Sequence, residues 1–174
     1  MKFENFNSEL GRLLKSAREQ QALTLYELAY NSDIVADHIQ KIESAKHGGI
    51  QIITYAKLLV GLNMGLSFKP MDDKKTKIFP STEMQNTLST LFLDLTKDPN
   101  LQFLNFNIEH LLKQIGKEIK KRRKAFGLSE KALAKKAQVS NTTISRVESG
   151  KYNFQLRTLY KVTHELKKQN KGFK

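Results

Sequence analysis

An all-α fold, built as two helical units joined by a connector, is predicted by three observations. Apolar residues recur with a 3.6-residue period over most of the 174 residues, and the chain carries only three prolines. The second half repeats the first at a nearly constant shift. The stretch between the copies breaks the helical period with a short apolar–polar alternation.

A shift of 105 residues brings Gly11 onto Gly116, Lys15 onto Lys120 and Arg18 onto Arg123. Leu23, Leu28 and Ala29 fall on Leu128, Leu133 and Ala134, and Ile39, Glu43, Ser44 and Lys46 fall on Ile144, Glu148, Ser149 and Lys151. Further on the shift is 104, so that Thr54, Lys57 and Leu62 meet Thr158, Lys161 and Leu166. The single-residue difference falls in the loop after the third helix, where length changes are tolerated. Two copies at this spacing indicate a duplicated domain rather than a solenoid. The expected boundaries are 1–64, a connector over 65–106, and 107–174.

In the first unit, Thr24-Leu25-Tyr26-Glu27 reads as a capping box opening helix 2. Its helix 3 is expected over about Ala36–Ser44, with Ile39 and Ile42 inward. In the connector, Gly65 to Met71 alternates as a short strand, Asp72 to Lys75 forms a turn, and Lys77-Ile78-Phe79 supplies a second strand of a hairpin. Thr82-Glu83-Met84-Gln85 is a second capping box. It opens an amphipathic helix over 81–97 with Met84, Leu88, Leu91, Phe92 and Leu95 on one face. Leu101, Phe103, Leu104, Phe106 and Ile108 are too apolar for an exposed linker, so the units are expected to dock on one another or on a partner chain. In the second unit, helix 1 runs from Asn107 to about Ala125, with Leu111, Leu112, Ile115 and Ile119 on one face. Gly127 ends it, Ser129 caps helix 2 (Ala132, Leu133 and Ala137 inward), and Gln138-Val139-Ser140 forms a turn. Helix 3 spans Asn141 to about Glu148 and stops at Gly150. Helix 4 carries Leu156, Leu159, Val162 and Leu166.

The charge is distributed unevenly. Residues 1–75 hold 10 Lys+Arg against 9 Asp+Glu, residues 76–112 hold 2 against 4, and residues 113–174 hold 18 against 4. Nearly all of the net +13 therefore lies on the second copy, which suits it to a polyanion. The absence of cysteine excludes disulfides, thiolate metal sites and a cysteine nucleophile, and suits a reducing cytoplasm. The N-terminal residues lack the apolar run of a signal peptide, and no segment approaches the roughly 20 apolar residues of a membrane span. His38, His47, His110 and His164 are scattered without metal-ligand spacing. No glycine-rich phosphate loop or nucleophile constellation is present, so no enzyme, cofactor or metal is expected.

Two short helices across a three-residue turn let the second project into a major groove. Gly127-Leu128-Ser129-x-x-x-Leu133-Ala134, followed by Val139-Ser140-x-x-x-Ile144-Ser145-x-x-Glu148-Ser149-Gly150, resembles the lambda-repressor-like helix-turn-helix domains of the phage-repressor or XRE class. The first copy shares the resemblance mainly through the repeat. Helix 4 of that copy running straight into a strand resembles HipB-type antitoxin repressors, in which strands of two chains join. The resemblance implies an ion pair from late helix 1 to the end of helix 3, here Arg18 with Glu43 and Arg123 with Glu148. It also implies that the first turn of helix 3 reads bases. That maps to Asn141, which suits adenine, and to Thr142 and Thr143, whose methyls suit thymine. Ser145 and Arg146 lie one turn on. Ser129, Lys131, Lys151, Tyr152 and Asn153 are the expected phosphate contacts, and Ser140 is counted among the DNA-binding residues. The class commonly has Gln just after the residue that opens helix 2; here the positions hold Glu130 and Leu25. The run Lys120 to Lys124 reads as the solvated side of helix 1, and Lys167, Lys168, Lys171 and Lys174 as a basic tail.

The first copy, near neutral and with Asp37 where its twin has Thr142, is expected to be either a weak DNA reader or, as the preferred reading, a domain reassigned to dimerisation or protein binding. The function so implied is a sequence-specific, double-stranded-DNA-binding transcriptional regulator, a cytoplasmic, nucleoid-associated homodimer. The alternative is a HipB-like antitoxin that binds a toxin or another regulator through the N-terminal domain and represses its own operon.

Overall fold

The computed structural model describes residues 3–46, 49–68, 83–91, 93–96 and 108–171. The first unit comprises α1 (Phe3–Gln20), α2 (Leu25–Ser32), α3 (Ala36–Glu43) and α4 (Ile52–Gly61). The connector contributes β1 (Gly65–Phe68), α5 (Glu83–Ser89) and β2 (Leu93–Thr96). The second unit repeats the helical order with α6 (Ile108–Ala125), α7 (Glu130–Ala137), α8 (Asn141–Ser149) and α9 (Leu156–Lys171).

Local chemistry sets the helix ends. Thr24 Oγ1 accepts from Glu27 N while the Glu27 carboxylate accepts from Thr24 N, a reciprocal cap that opens α2. Ser129 Oγ accepts from Ala132 N at the start of α7, and Ser140 Oγ accepts from Thr143 N at the start of α8. Gly150 closes α8 with φ +64, and a Cβ there would lie 2.5 Å from Lys113 Cα, so only glycine fits both the turn and the passing helix.

The apolar stripes read from the sequence form the core. Leu111, Leu112, Ile115 and Ile119 of α6 pack with Leu133, Ala134, Ile144, Val147, Leu156, Leu159, Val162 and Leu166, all buried. Leu10, Leu14, Leu28, Ile39, Ile42, Ala56, Leu59 and Leu62 do the same in the first unit, and the two cores are continuous. The close approach of the first helix to the end of the third explains the shared glycine. A Cβ on Gly11 would sit 2.5 Å from Ile42 O, and one on Gly116 would sit 2.5 Å from Val147 O.

The connector departs from the expected pattern. A single helix over 81–97 is replaced by α5, which ends at Ser89, and strand β2. Leu93-Asp94-Leu95-Thr96 alternates with period two, and β1 offers it a free edge; the helical stripe through Leu95 was a coincidence of leucine spacing. β1 and β2 pair antiparallel with Gly65 opposite Thr96 and Phe68 opposite Leu93. β1 thus has a strand partner within the chain. The second strand expected at 77–79, the capping residue Thr82, and Phe92, Leu101, Phe103, Leu104 and Phe106 lie outside the described residues. Met84, Leu88, Leu91 and Leu93 are buried, so α5 and the start of β2 are docked. Arg12 pairs with Glu83 at 2.6 Å, tying α1 to α5, and Lys167 of α9 donates to Ser89 O at 3.0 Å. Burial, then the neighbouring Arg122, pushes the Lys167 ammonium below the usual lysine range.

Candidate nucleic-acid interface

The turn Gln138-Val139-Ser140 sets α8 against α7, with Gln138 in the left-handed region (φ 52) as the C-cap of α7. Ile144 and Val147 hold the inner face of α8 to the core. One side of the helix is left for solvent. Asn141, Thr142, Ser145 and Arg146 are exposed, and among the described residues no hydrogen bond claims the side chains of Asn141, Thr142 or Ser145. The Arg146 guanidinium lies 5.1 Å from the centre of the Tyr152 ring, a cation–π contact that restricts an otherwise floppy side chain.

The neighbouring residues divide by role. Lys131 and Lys151 are exposed, as are Lys135 and Lys136 at the end of α7. Ser129 and Ser140 each accept one backbone N–H in the caps, and Thr143 Oγ1 lies 2.8 Å from Ser140 Oγ. Asn153 is engaged within the protein. Its amide donates to Gln51 Oε1 and its carbonyl accepts from Ile53 N, so it holds the first unit.

Beneath the exposed face lies a clamp. Arg123 donates from Nε to Glu148 Oε1 at 2.6 Å, from NH2 to Glu148 Oε2 at 2.8 Å and from NH1 to Leu128 O at 2.7 Å. Arg18 makes the same three bonds to Glu43 and Leu23 O, at 2.7, 2.8 and 2.8 Å. The carboxylate hydrogen bonds raise both guanidinium pKa values further above their ordinary range. Glu130 lies 3.8 Å from Arg123 NH2, so its carboxylate has a cation to face other than across a phosphate.

The run Lys120 to Lys124 is not one solvated face. Lys120, Lys121 and Lys124 are exposed, but Arg123 is in the clamp and Arg122 is buried, its Nε 2.9 Å from Glu118. A helix turns through its core side within five residues, so an unbroken charge run cannot all face water.

Residues 119–169 match the helix-turn-helix family model HTH_3. This segment is a helix-turn-helix domain. It covers the C-terminal end of α6 and all of α7 and α8, and ends within α9. The family is of XRE type and consists of DNA-binding regulators, not enzymes. No curated protein and no solved structure matches the chain. Among the described residues no helix is long and apolar enough to cross a membrane, and no group of His, Asp or Glu is placed to hold a metal.

Reading single residues of the sequence missed two features. Where the second unit exposes Lys131, Lys135 and the cap Ser140, the first unit exposes Tyr26, Tyr30 and Val35, at 80, 90 and 72%. The repeat alignment holds that signal, since each pair is 105 apart. The other feature is the junction of the two units. There Gln51 and Gln155 form an antiparallel bridge.

Proposed function

We propose that the chain is a transcriptional regulator that reads double-stranded DNA through the C-terminal unit, with the N-terminal part of α8 in the major groove. The observation that carries this is the exposed, unclaimed set Asn141, Thr142 and Ser145 on a helix that two caps and a buried ion pair hold rigid. A bidentate amide and threonine methyls are the groups that distinguish base edges. Lys131 and Lys151 flank the set and supply phosphate contacts, which fix register without reading sequence. Ser129 and Ser140 present helix N-termini, where backbone N–H groups favour anions. Binding to a promoter fragment tests the reading. Asn141→Ala and Arg146→Ala are each expected to weaken binding by about 1–3 kcal/mol and to relax preference at one position. Unchanged affinity and site preference in both variants would refute the assignment.

A second reading, an antitoxin with a toxin or other regulator bound to the first unit, draws on the exposed Tyr26, Tyr30 and Val35. Their exposed apolar bodies would suit a protein partner. Purification with a stoichiometric partner encoded beside the gene would select it.

A further inference from the structure

The two units meet through equivalent segments. Ile52 N donates to Phe154 O at 3.0 Å, and Leu156 N donates to Ile50 O at 2.8 Å. The shift of 104 carries Ile50 to Phe154, Gln51 to Gln155 and Ile52 to Leu156, so each bond is the image of the other. An antiparallel bridge between matching segments is a local two-fold axis. Ile50, Ile52, Phe154 and Leu156 are all buried there. The contact extends beyond the bridge: the Phe6 and Tyr160 rings lie 5.2 Å apart, and Arg157 meets Glu4 at 2.7 Å. A symmetric dimer built on this surface would pair the same segment from two chains. Here the segment is already paired with its twin.

Thr143 and Arg146 line a cleft of about 270 Å³ with Gln51 and Gln155, so α8 stands beside the axis. If that local two-fold is extended to the helices, α3 is the counterpart of α8, with His38 and Lys41 at the repeat positions of Thr143 and Arg146. Duplex DNA has its own two-fold axes. A body with two matching helices about such an axis meets two major-groove segments about 34 Å apart.

On the footing of the DNA-reading function above, we propose that one chain binds one operator as a monomer, its two units covering two unequal half-sites. α8 reads one half-site by base contacts and cations. α3 rests on the other with a different set: Asp37, already paired to Lys41 at 2.6 Å, with His38 and Gln40 exposed. Around it α2 presents Tyr26 and Tyr30 hydroxyls, uncharged donors to phosphate, where α7 presents lysines. The operator is therefore not a palindrome, and the salt dependence arises from one half.

The test uses the full chain and a pool of duplexes of about 30 base pairs, long enough for two half-sites one helical turn apart. The retained duplexes are footprinted, and the mass of the complex is measured. One chain per duplex is expected, with protection on two successive major-groove segments and information concentrated in one. Two chains per duplex, or protection of a single segment, would overturn the proposal. Tyr26→Glu places a carboxylate at an exposed position in the first turn of α2, where the helix tolerates it. It is expected to weaken binding about five-fold at low salt through repulsion from a nearby phosphate. Tyr26→Lys with Tyr30→Lys is expected to tighten binding and steepen the salt slope by about 2. Unaltered binding in both would return that surface to a protein partner and end the proposal. Retention of no duplex at all sinks the DNA-reading function itself, an outcome distinct from retention by two chains.

Discussion

Replacing Glu148 by Ala isolates the clamp that seats α8. Glu148 is 3% exposed in its side chain and Arg123 8%. The change removes the two carboxylate bonds of 2.6 and 2.8 Å and leaves the guanidinium with Leu128 O at 2.7 Å and a distant Glu130 at 3.8 Å. A hydrogen bond to a charged group contributes about 1.5–3 kcal/mol, and stripping one partner from a buried pair costs about 3–5 kcal/mol. Against a total stability of about 5–15 kcal/mol, the second unit should be largely destabilised. Urea unfolding followed by circular dichroism gives the number. Arg123→Met combined with Glu148→Leu removes both charges and should recover most of the loss, because no cation is then left buried. A loss below about 1 kcal/mol for Glu148→Ala, or a double variant no better than the single one, would refute the reasoning.

Further changes test the packing and the interface. Gly116→Ala forces a Cβ to 2.5 Å from Val147 O, a backbone atom that cannot swing away, and should cost about 1–3 kcal/mol in thermal unfolding. Gly11→Ala should do the same against Ile42 O. The Tyr55 hydroxyl is fully buried and has no hydrogen-bond partner among the described residues, and its burial pushes the phenol pKa upward. Tyr55→Phe should therefore stabilise the chain by about 1 kcal/mol, as measured by a shifted urea midpoint at constant slope; the corresponding position of the second unit is already apolar, Leu159. Lys131→Ala should weaken DNA binding equally across sequences and lower the salt slope by about 1, as read from binding isotherms over a salt series.

The helices of both units were legible because each carries an apolar stripe together with a local stop or start. Thr24, Ser129, Gly127 and Gly150 act within a few residues, so sequence alone places them. The Arg18–Glu43 and Arg123–Glu148 pairs were visible only through a resemblance, yet the geometry is specific: the third bond of each arginine goes to Leu23 or Leu128, which occupy matching repeat positions. The connector misled because Leu88, Leu91 and Leu95 suit a helix stripe, while pairing with β1 is a long-range event that no local window contains. The bonds of Asn153 to the first unit were hidden for a similar reason. Its neighbours belong to residues 51 and 53, a hundred positions away, and its exposure depends on how the units dock. The burial of Arg122 inside a basic run follows from helix phase, which charge counting ignores.

The most direct measurement follows the backbone amide resonances as a retained duplex is added to the full chain. The largest shifts are expected at residues 140–146, with smaller ones at Ser129, Lys131 and Lys151. Binding that leaves 140–146 unmoved while shifting the outer face of α9 would contradict the placement of α8 in the groove.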